Sequence, residues 1–281
     1  MQSIKKSKNK GRNMDNKYTL ITGATGGLGN AFCRELAKLN HNLIITGTRQ
    51  DKLDKWKKTL LSDFPTLKIE VCPCDLSNEN SRQDFFEYLN KNKFSISMLI
   101  NNAGYITEGS IKYSSIDNLL KCIRVNCEGV IHLTKYILDN KKQDEKLNII
   151  TISSMAGDYP MPYMAIYSAT KAMESNFMTS LRLEYKKDNV QVLVVKPGAI
   201  ATSQDMIEAI KAQGLKGRLS AVPADKIAKQ SIKKSLKGKK TYIPGFFNKL
   251  TEFASKFATT NFQAKCVAKM WKKSQNKRNI K

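Results

Sequence analysis

The chain has 281 residues and a formal net charge of +24, with 41% hydrophobic and 26% charged residues. That length buries a sizeable core and that composition is ordinary for a globular protein, so a disulfide-stapled miniprotein and a mainly disordered chain are excluded. The charge is uneven: residues 1–17 carry six basic residues against Asp15, 18–185 carry 20 basic and 18 acidic, and 186–281 carry 22 basic and five acidic. A near-neutral body with two basic ends points to an anionic partner, a phospholipid surface or nucleic acid, or else to solvated lysine-rich tails.

The six cysteines are scattered, and Cys72-Pro73-Cys74 has no second pair at zinc spacing, so no metal site is expected and a reduced compartment is the simplest account. With only His41 and His132 present, a Ser-His-Asp hydrolase is hard to build. The basic N-terminal stretch lacks an apolar core, and no segment reaches the roughly 18–20 apolar residues that span a bilayer. The expected location is cytoplasmic, with peripheral membrane contact as an option.

In chain order, short β-branched runs alternate with amphipathic stretches. Strands are predicted at 18–22, 42–46, 67–71, 97–101, 147–153, 190–195 and 240–243, and helices near 28–39, 51–62, 80–91, 115–139, 165–187 and 223–237. Strands that are apolar throughout, each followed by a helix, imply an α/β fold with a doubly wound parallel sheet, a Rossmann-type single domain over 18–245. It follows a basic N-terminal tail at 1–17 and precedes a basic amphipathic helical extension at 246–281. Such a sheet binds ligands at the carboxyl ends of its strands, where the winding direction switches.

TGATGGLG at 22–29 follows the first strand and opens the first helix, so Gly23, Thr25, Gly27, Leu28 and Gly29 form a turn whose backbone can approach a pyrophosphate at the helix N-terminus. A tight turn without ligand is the alternative. The second strand ends in Gly47-Thr48-Arg49 with no carboxylate to hold a ribose 2′-hydroxyl. Thr48 leaves space and Arg49 suits a 2′-phosphate, so NADP(H) is favoured over NAD(H), although Arg49 at a helix start is equally consistent with a solvated side chain. Asp75-Leu76 after the third strand and Asn102-Ala103-Gly104 after the fourth sit where the adenosine half of a dinucleotide would lie, each also readable as a cap or turn.

Tyr167 and Lys171, four apart on a helical stretch, share a face, and Ser154 ends the fifth strand. A neighbouring ammonium favours the phenolate of a tyrosine and lowers its pKa, which suits Tyr167 to acid–base exchange with a substrate oxygen that the Ser154 hydroxyl also bonds.

The ordered set TGATGGLG, NNAG at 101–104, Asn126 within VNCEG, ISS at 152–154, YSATK at 167–171 and KPGAIAT at 196–202 resembles the short-chain dehydrogenase/reductase family over about 18–245. The resemblance implies hydride transfer between a nicotinamide and an alcohol or ketone. It implies Tyr167 as general acid–base, Lys171 as the residue that depresses its pKa and binds the nicotinamide ribose, and Ser154 as the carbonyl-orienting hydroxyl. It also implies Asn126 as holder, through backbone and side chain, of a water that links Lys171 to solvent, and Pro197, Gly198, Ile200 and Thr202 as the segment against the nicotinamide. Relatives that prefer NADP often carry a basic residue where this chain has Thr48. Relatives are commonly homodimers or homotetramers.

Residues 198–222 stand where relatives keep a lid, and Met206, Ile207, Ile210 and Leu215 favour an apolar ketone or alcohol, unless they are only the core face of a short helix. In the extension, Phe246, Leu250, Phe253 and Phe257, then Phe262, Cys266, Val267, Met270 and Trp271, interleave with Lys249, Lys256, Lys265, Lys269, Lys272 and Lys273. That pattern suits either an anionic membrane interface or docking on protein. Nucleic acid ranks lower, since only eight basic residues are Arg and base readout leans on Arg. A dinucleotide-binding sensor or scaffold at a membrane surface, without turnover, is the alternative function.

Overall fold

Seven parallel strands form the sheet in the computed structural model, which describes residues 17–202, 204–212 and 214–278: β1 (Lys17–Thr22), β2 (Asn42–Thr46), β3 (Ile69–Val71), β4 (Ser95–Asn101), β5 (Leu147–Ile152), β6 (Val190–Val195) and β7 (Thr241–Tyr242). The basic residues Lys5, Lys6, Lys8, Lys10 and Arg12 lie outside the described residues, and Lys17, expected in the tail, is the first residue of β1. Successive side chains of a strand point to opposite faces, which explains the continuous apolar runs. Ile21, Ile45, Ile100, Ile150 and Leu193 enter one core, and Leu20, Ile44, Leu99, Ile149 and Val192 enter the other.

Helices cover both faces. The first core is closed by α1 (Gly27–Ala37) through Phe32 and Leu36, α2 (Gln50–Asp63) through Leu53 and Leu60, and, over β5 and β6, Ile227 and Ile232. The second is closed by α3 (Glu79–Asn92) through Phe85 and Leu89, and by Leu133, Ile137 and Met178. The helix predicted at 115–139 is α4 (Ile116–Ile123), a π turn at Arg124–Glu128 and α5 (Gly129–Asp139). The other side chains belong to α6 (Ala165–Glu184) and, beyond α7 (Gln204–Ala212) and α8 (Gly214–Ser220), to α9 (Ala224–Leu236). The extension is α10 (Phe246–Ser255) and α11 (Thr260–Arg278).

The sheet order is β3-β2-β1-β4-β5-β6-β7. From β1 the chain winds outward through β2 and β3, then returns to pair β4 with the other side of β1 and winds the opposite way. The reversal leaves a crevice at the carboxyl ends of β1 and β4, and the loops that follow β1, β2, β3, β4, β5 and β6 all meet there. No described helix is long and apolar enough to cross a membrane.

Candidate active site

The crevice encloses about 580 Å³. Its floor is the turn after β1. Gly23 has φ +63°, a left-handed conformation that favours glycine, and a Cβ on Gly29 would stand 2.2 Å from the Gly23 carbonyl oxygen, so α1 starts tight against the turn only because both residues lack side chains. The buried Thr22 hydroxyl accepts the N–H groups of Asn102 and Ala103, both at 3.0 Å, and the Asn102 side-chain amide donates to the Thr22 and Gly23 carbonyls at 2.9 and 3.1 Å. These bonds splice the NNAG loop to the glycine turn. No side chain caps the start of α1, which leaves its N–H groups and the positive end of its dipole facing the crevice.

Thr25, Gly27, Leu28, Thr48, Asp75, Leu76, Gly104, Ile200 and Thr202 all line this space, as do Pro197 and Gly198. Asp75 Oδ1 accepts from the backbone and hydroxyl of Ser77 at 2.9 and 2.6 Å, which fixes the turn after β3. Arg82 is a residue that the sequence reading missed. Buried on the apolar face of α3, its guanidinium donates to the Leu76 carbonyl at 2.6 Å and to His132 at 3.2 Å, tying that turn to α5. Arg49 does not join the lining. It stands at the N-cap of α2, exposed, with Nη2 3.0 Å from Asp51 Oδ2, and this pairing holds the Asp51 carboxyl below its usual range.

The reacting end is built by β5 and α6. Ser154 follows β5 and its hydroxyl accepts the Ala156 N–H at 3.1 Å, capping a short 3₁₀ turn, Met155–Asp158. The same hydroxyl faces the Tyr167 phenol closely enough to favour its phenolate. Lys171, one turn along α6, lies with Nζ 5.9 Å from the centre of the Tyr167 ring and donates to the Ile152 carbonyl at 2.9 Å. Its remaining partner was not foreseen: Nζ is 2.8 and 3.0 Å from the two oxygens of Glu174, and both side chains are buried.

The electrostatics differ from expectation for this reason. Lys171 and the Ser154 hydrogen bond do favour the Tyr167 phenolate, but burial of the phenol outweighs them, and Glu174 adds to burial, so the Tyr167 pKa stands above its ordinary value. Burial pushes the Glu174 carboxyl up to about 7 despite Lys171, whereas for Lys171 the lowering by burial is exceeded by Glu174 and Tyr167 and the ammonium is held above its usual range.

Asn126 sits in the π turn, fully buried and behind the crevice wall. Its Oδ1 accepts the Tyr105 N–H at 2.8 Å, and its amide donates to the Tyr105 carbonyl at 2.9 Å and to the Thr170 hydroxyl at 3.0 Å. The side chain that the resemblance assigned to a water is therefore occupied in clamping the loop after β4 to α6. A π turn is how a helix aims such a residue without breaking.

Met206 of α7 lines the crevice and Ile210 is buried; the Leu215 side chain lies outside the described residues. From α11, Val267 and Trp271 form a buried cluster with Met164, against which Tyr159, Met161, Tyr163 and Tyr167 pack, so the extension reaches the side of the crevice that Tyr167 lines.

A bare glycine turn, an uncapped helix start and a serine, tyrosine and lysine converging on one crevice fit a nicotinamide dinucleotide beside a substrate carbonyl. The family model "short chain dehydrogenase" matches residues 17–213. The chain belongs to this family. It is an NAD(P)-dependent oxidoreductase. A dehydrogenase/reductase SDR family protein 7-like from Anopheles gambiae is 29% identical over 237 residues, covering 83% of this chain and 75% of that one. A very-long-chain 3-oxoacyl-CoA reductase from Bos taurus is 31% identical over 192 residues, 66% of this chain and 60% of that protein, so the match spans about three-fifths of the reductase's length. A short-chain dehydrogenase from Sphingobium yanoikuyae in complex with NADPH shares the fold, with a TM-score of 0.73 at 23% identity over 85% of this chain and 92% of that one. Among the described residues no cluster of His, Cys, Asp and Glu has the makings of a metal site.

Proposed function

We propose that the protein interconverts an apolar ketone and its secondary alcohol with NADP(H). The observation that carries this reading is the convergence of Ser154, Tyr167 and Lys171 at the crevice that the glycine turn opens. The bound nicotinamide supplies or accepts the hydride. Tyr167 gives its phenolic proton to the carbonyl oxygen during reduction and recovers one during oxidation, and Ser154 donates a hydrogen bond to that oxygen as negative charge gathers there. Lys171 holds the phenolate that results. The Gly23 and Gly29 backbone and the start of α1 would hold the pyrophosphate, with Thr48, Asp75 and Leu76 along the adenosine.

NADP(H) is favoured because no carboxylate ends β2, where Thr48 lines the crevice, and the NADPH complex of the Sphingobium dehydrogenase is a fold neighbour consistent with that choice. An apolar substrate is supported by Ile106, Val125 and Met206 in the lining and by the 3-oxoacyl substrate named for the bovine relative. The test is a titration with NADPH and NADH followed by a panel of ketones, from small carbonyls to steroids and long-chain 3-oxo thioesters. The expected result is tighter NADPH binding and turnover confined to bulky apolar ketones. Tight binding with no turnover across the panel favours a sensor instead.

A further inference from the structure

Helix α10 is held by one polar side chain. Asn248, 1% exposed, donates to the Pro244 carbonyl at 2.7 Å and to the Ser220 carbonyl at 2.9 Å, which pins the helix to the end of α8. The opposite side carries Phe246, Leu250, Phe253 and, just past the helix, Phe257, at i, i+4, i+7 and i+11, and all are exposed, Phe246 by 83% and Phe257 by 78%. Phe253 and Phe257 touch edge to face, their centres 5.2 Å apart, and Phe262 at the start of α11 is exposed too. A contiguous aromatic stripe on a firmly anchored helix is a surface that water does not favour.

Its surroundings indicate what covers it. Residues 246–278 contain eight basic residues and one acid, Glu252, whose carboxylate is taken by Lys256 at 2.8 Å. Lys249 lies three or four positions from Phe246 and Phe253 and is exposed, as are Lys265 and Lys269 on α11. A second copy laying its own stripe on this one would bring lysines against lysines, with Glu252 the segment's one carboxylate and already paired. Anionic lipid headgroups answer them directly, while the rings settle at the boundary of headgroup and acyl chain.

We propose that α10 and the start of α11 form a docking surface for an anionic phospholipid bilayer, lying on it without crossing it. Through Val267 and Trp271 the same extension packs in the cluster that Tyr167 joins, so docking brings that side of the crevice toward the lipid phase. This last step rests on the apolar-ketone reading, whereas the docking does not.

The experiment is flotation of the full chain, without substrate, on phosphatidylcholine vesicles with and without phosphatidylglycerol. Two variants are compared with the parent chain: F246S/F253S/F257S, and K249Q/K265Q/K269Q. Binding to the anionic vesicles only is expected. It should be abolished by the serine variant, while the glutamine variant weakens it by roughly a hundredfold at low salt, as about one kcal/mol per lysine implies. Turnover of a water-soluble ketone by the serine variant should match the parent, which certifies its fold. Absence of vesicle binding, or binding that both variants retain, overturns the proposal. So does a sedimentation result in which the serine changes dissolve a dimer that does not bind vesicles, since that assigns the stripe to a second copy. Ketone turnover with no flotation leaves the enzyme reading intact and removes only the docking.

Discussion

Lys171 and Glu174, one turn apart on α6, form a buried ion pair in which both carboxylate oxygens lie within 3.0 Å of the ammonium. The lysine that must favour the Tyr167 phenolate thus shares its charge with a carboxylate that opposes the phenolate. Glu174→Gln keeps an acceptor for Nζ and removes the negative charge, so the Tyr167 pKa falls. In the oxidation direction, where the phenolate takes the proton, the acid limb of the rate profile is expected to move to lower pH. A profile that does not move shows that Glu174 has no electrostatic hold on the tyrosine.

The same pair gives a stability signature. Burial raises the Glu174 carboxyl from its ordinary 4.5 to about 7 in the fold, so between those values the folded state binds more protons, and its stability falls as pH rises through that window. Thermal denaturation across the window should show this fall in the parent chain and a flatter curve in Glu174→Gln. Glu174→Leu, which strands the ammonium in a buried site, should cost about 3–5 kcal/mol at neutral pH, read from chemical denaturation.

Tyr167→Phe removes the phenolic proton that the proposed mechanism passes to the carbonyl oxygen. Turnover should drop by about 10²–10⁴-fold, the usual worth of general acid–base catalysis, while the affinity for NADPH stays within twofold or so by fluorescence titration. Loss of NADPH binding in this variant would instead make the phenol a cofactor anchor.

Much of this was written openly in the chain. The strands showed themselves because burial on both faces makes them continuously apolar, and the glycine turn, NNAG and YSATK fall at strand ends where the fold needs them. The parts that stayed hidden have physical reasons. A glutamate three residues after a lysine on a helix is ordinarily a solvated surface pair, and only burial of Ser168, Lys171, Ser175 and Met178 around it turns Glu174 inward. Arg82 occupies an apolar stripe whose hydrophobic partners, Phe85 and Leu89, advertise a core rather than a guanidinium. In the extension, one amphipathic pattern conceals two fates: Val267 and Trp271 go inward, and Phe246 and Phe253 of α10 stay out.

Arg49 makes cofactor choice testable from its own ion pair. With the guanidinium turned to Asp51, a 2′-phosphate must win it from an exposed carboxylate. Arg49→Ala should weaken NADPH binding by roughly tenfold, the loss of one charge-assisted bond at a wet surface, and leave NADH unchanged. Asp51→Asn should strengthen NADPH binding alone. Equal effects on the two cofactors would show that Arg49 never meets the phosphate.

Trp271 of α11 is buried in a small cluster with Met164 and Val267, and Tyr167, which lines the crevice, packs against that cluster. Trp271→Ala opens a cavity there and should cost about 3 kcal/mol, the low end for a buried tryptophan, because the cluster is a small one under a terminal helix. Local loosening of α11 will cost less than global unfolding, so the activity readout is the sharper one. If the bulk of an apolar ketone reaches this cluster, KM for it should rise severalfold with kcat nearly kept, since a remote contact binds ground state and transition state alike, and for a small ketone neither constant should change. A fall in kcat for both substrates would mean that Trp271 instead holds Tyr167 in its reacting position.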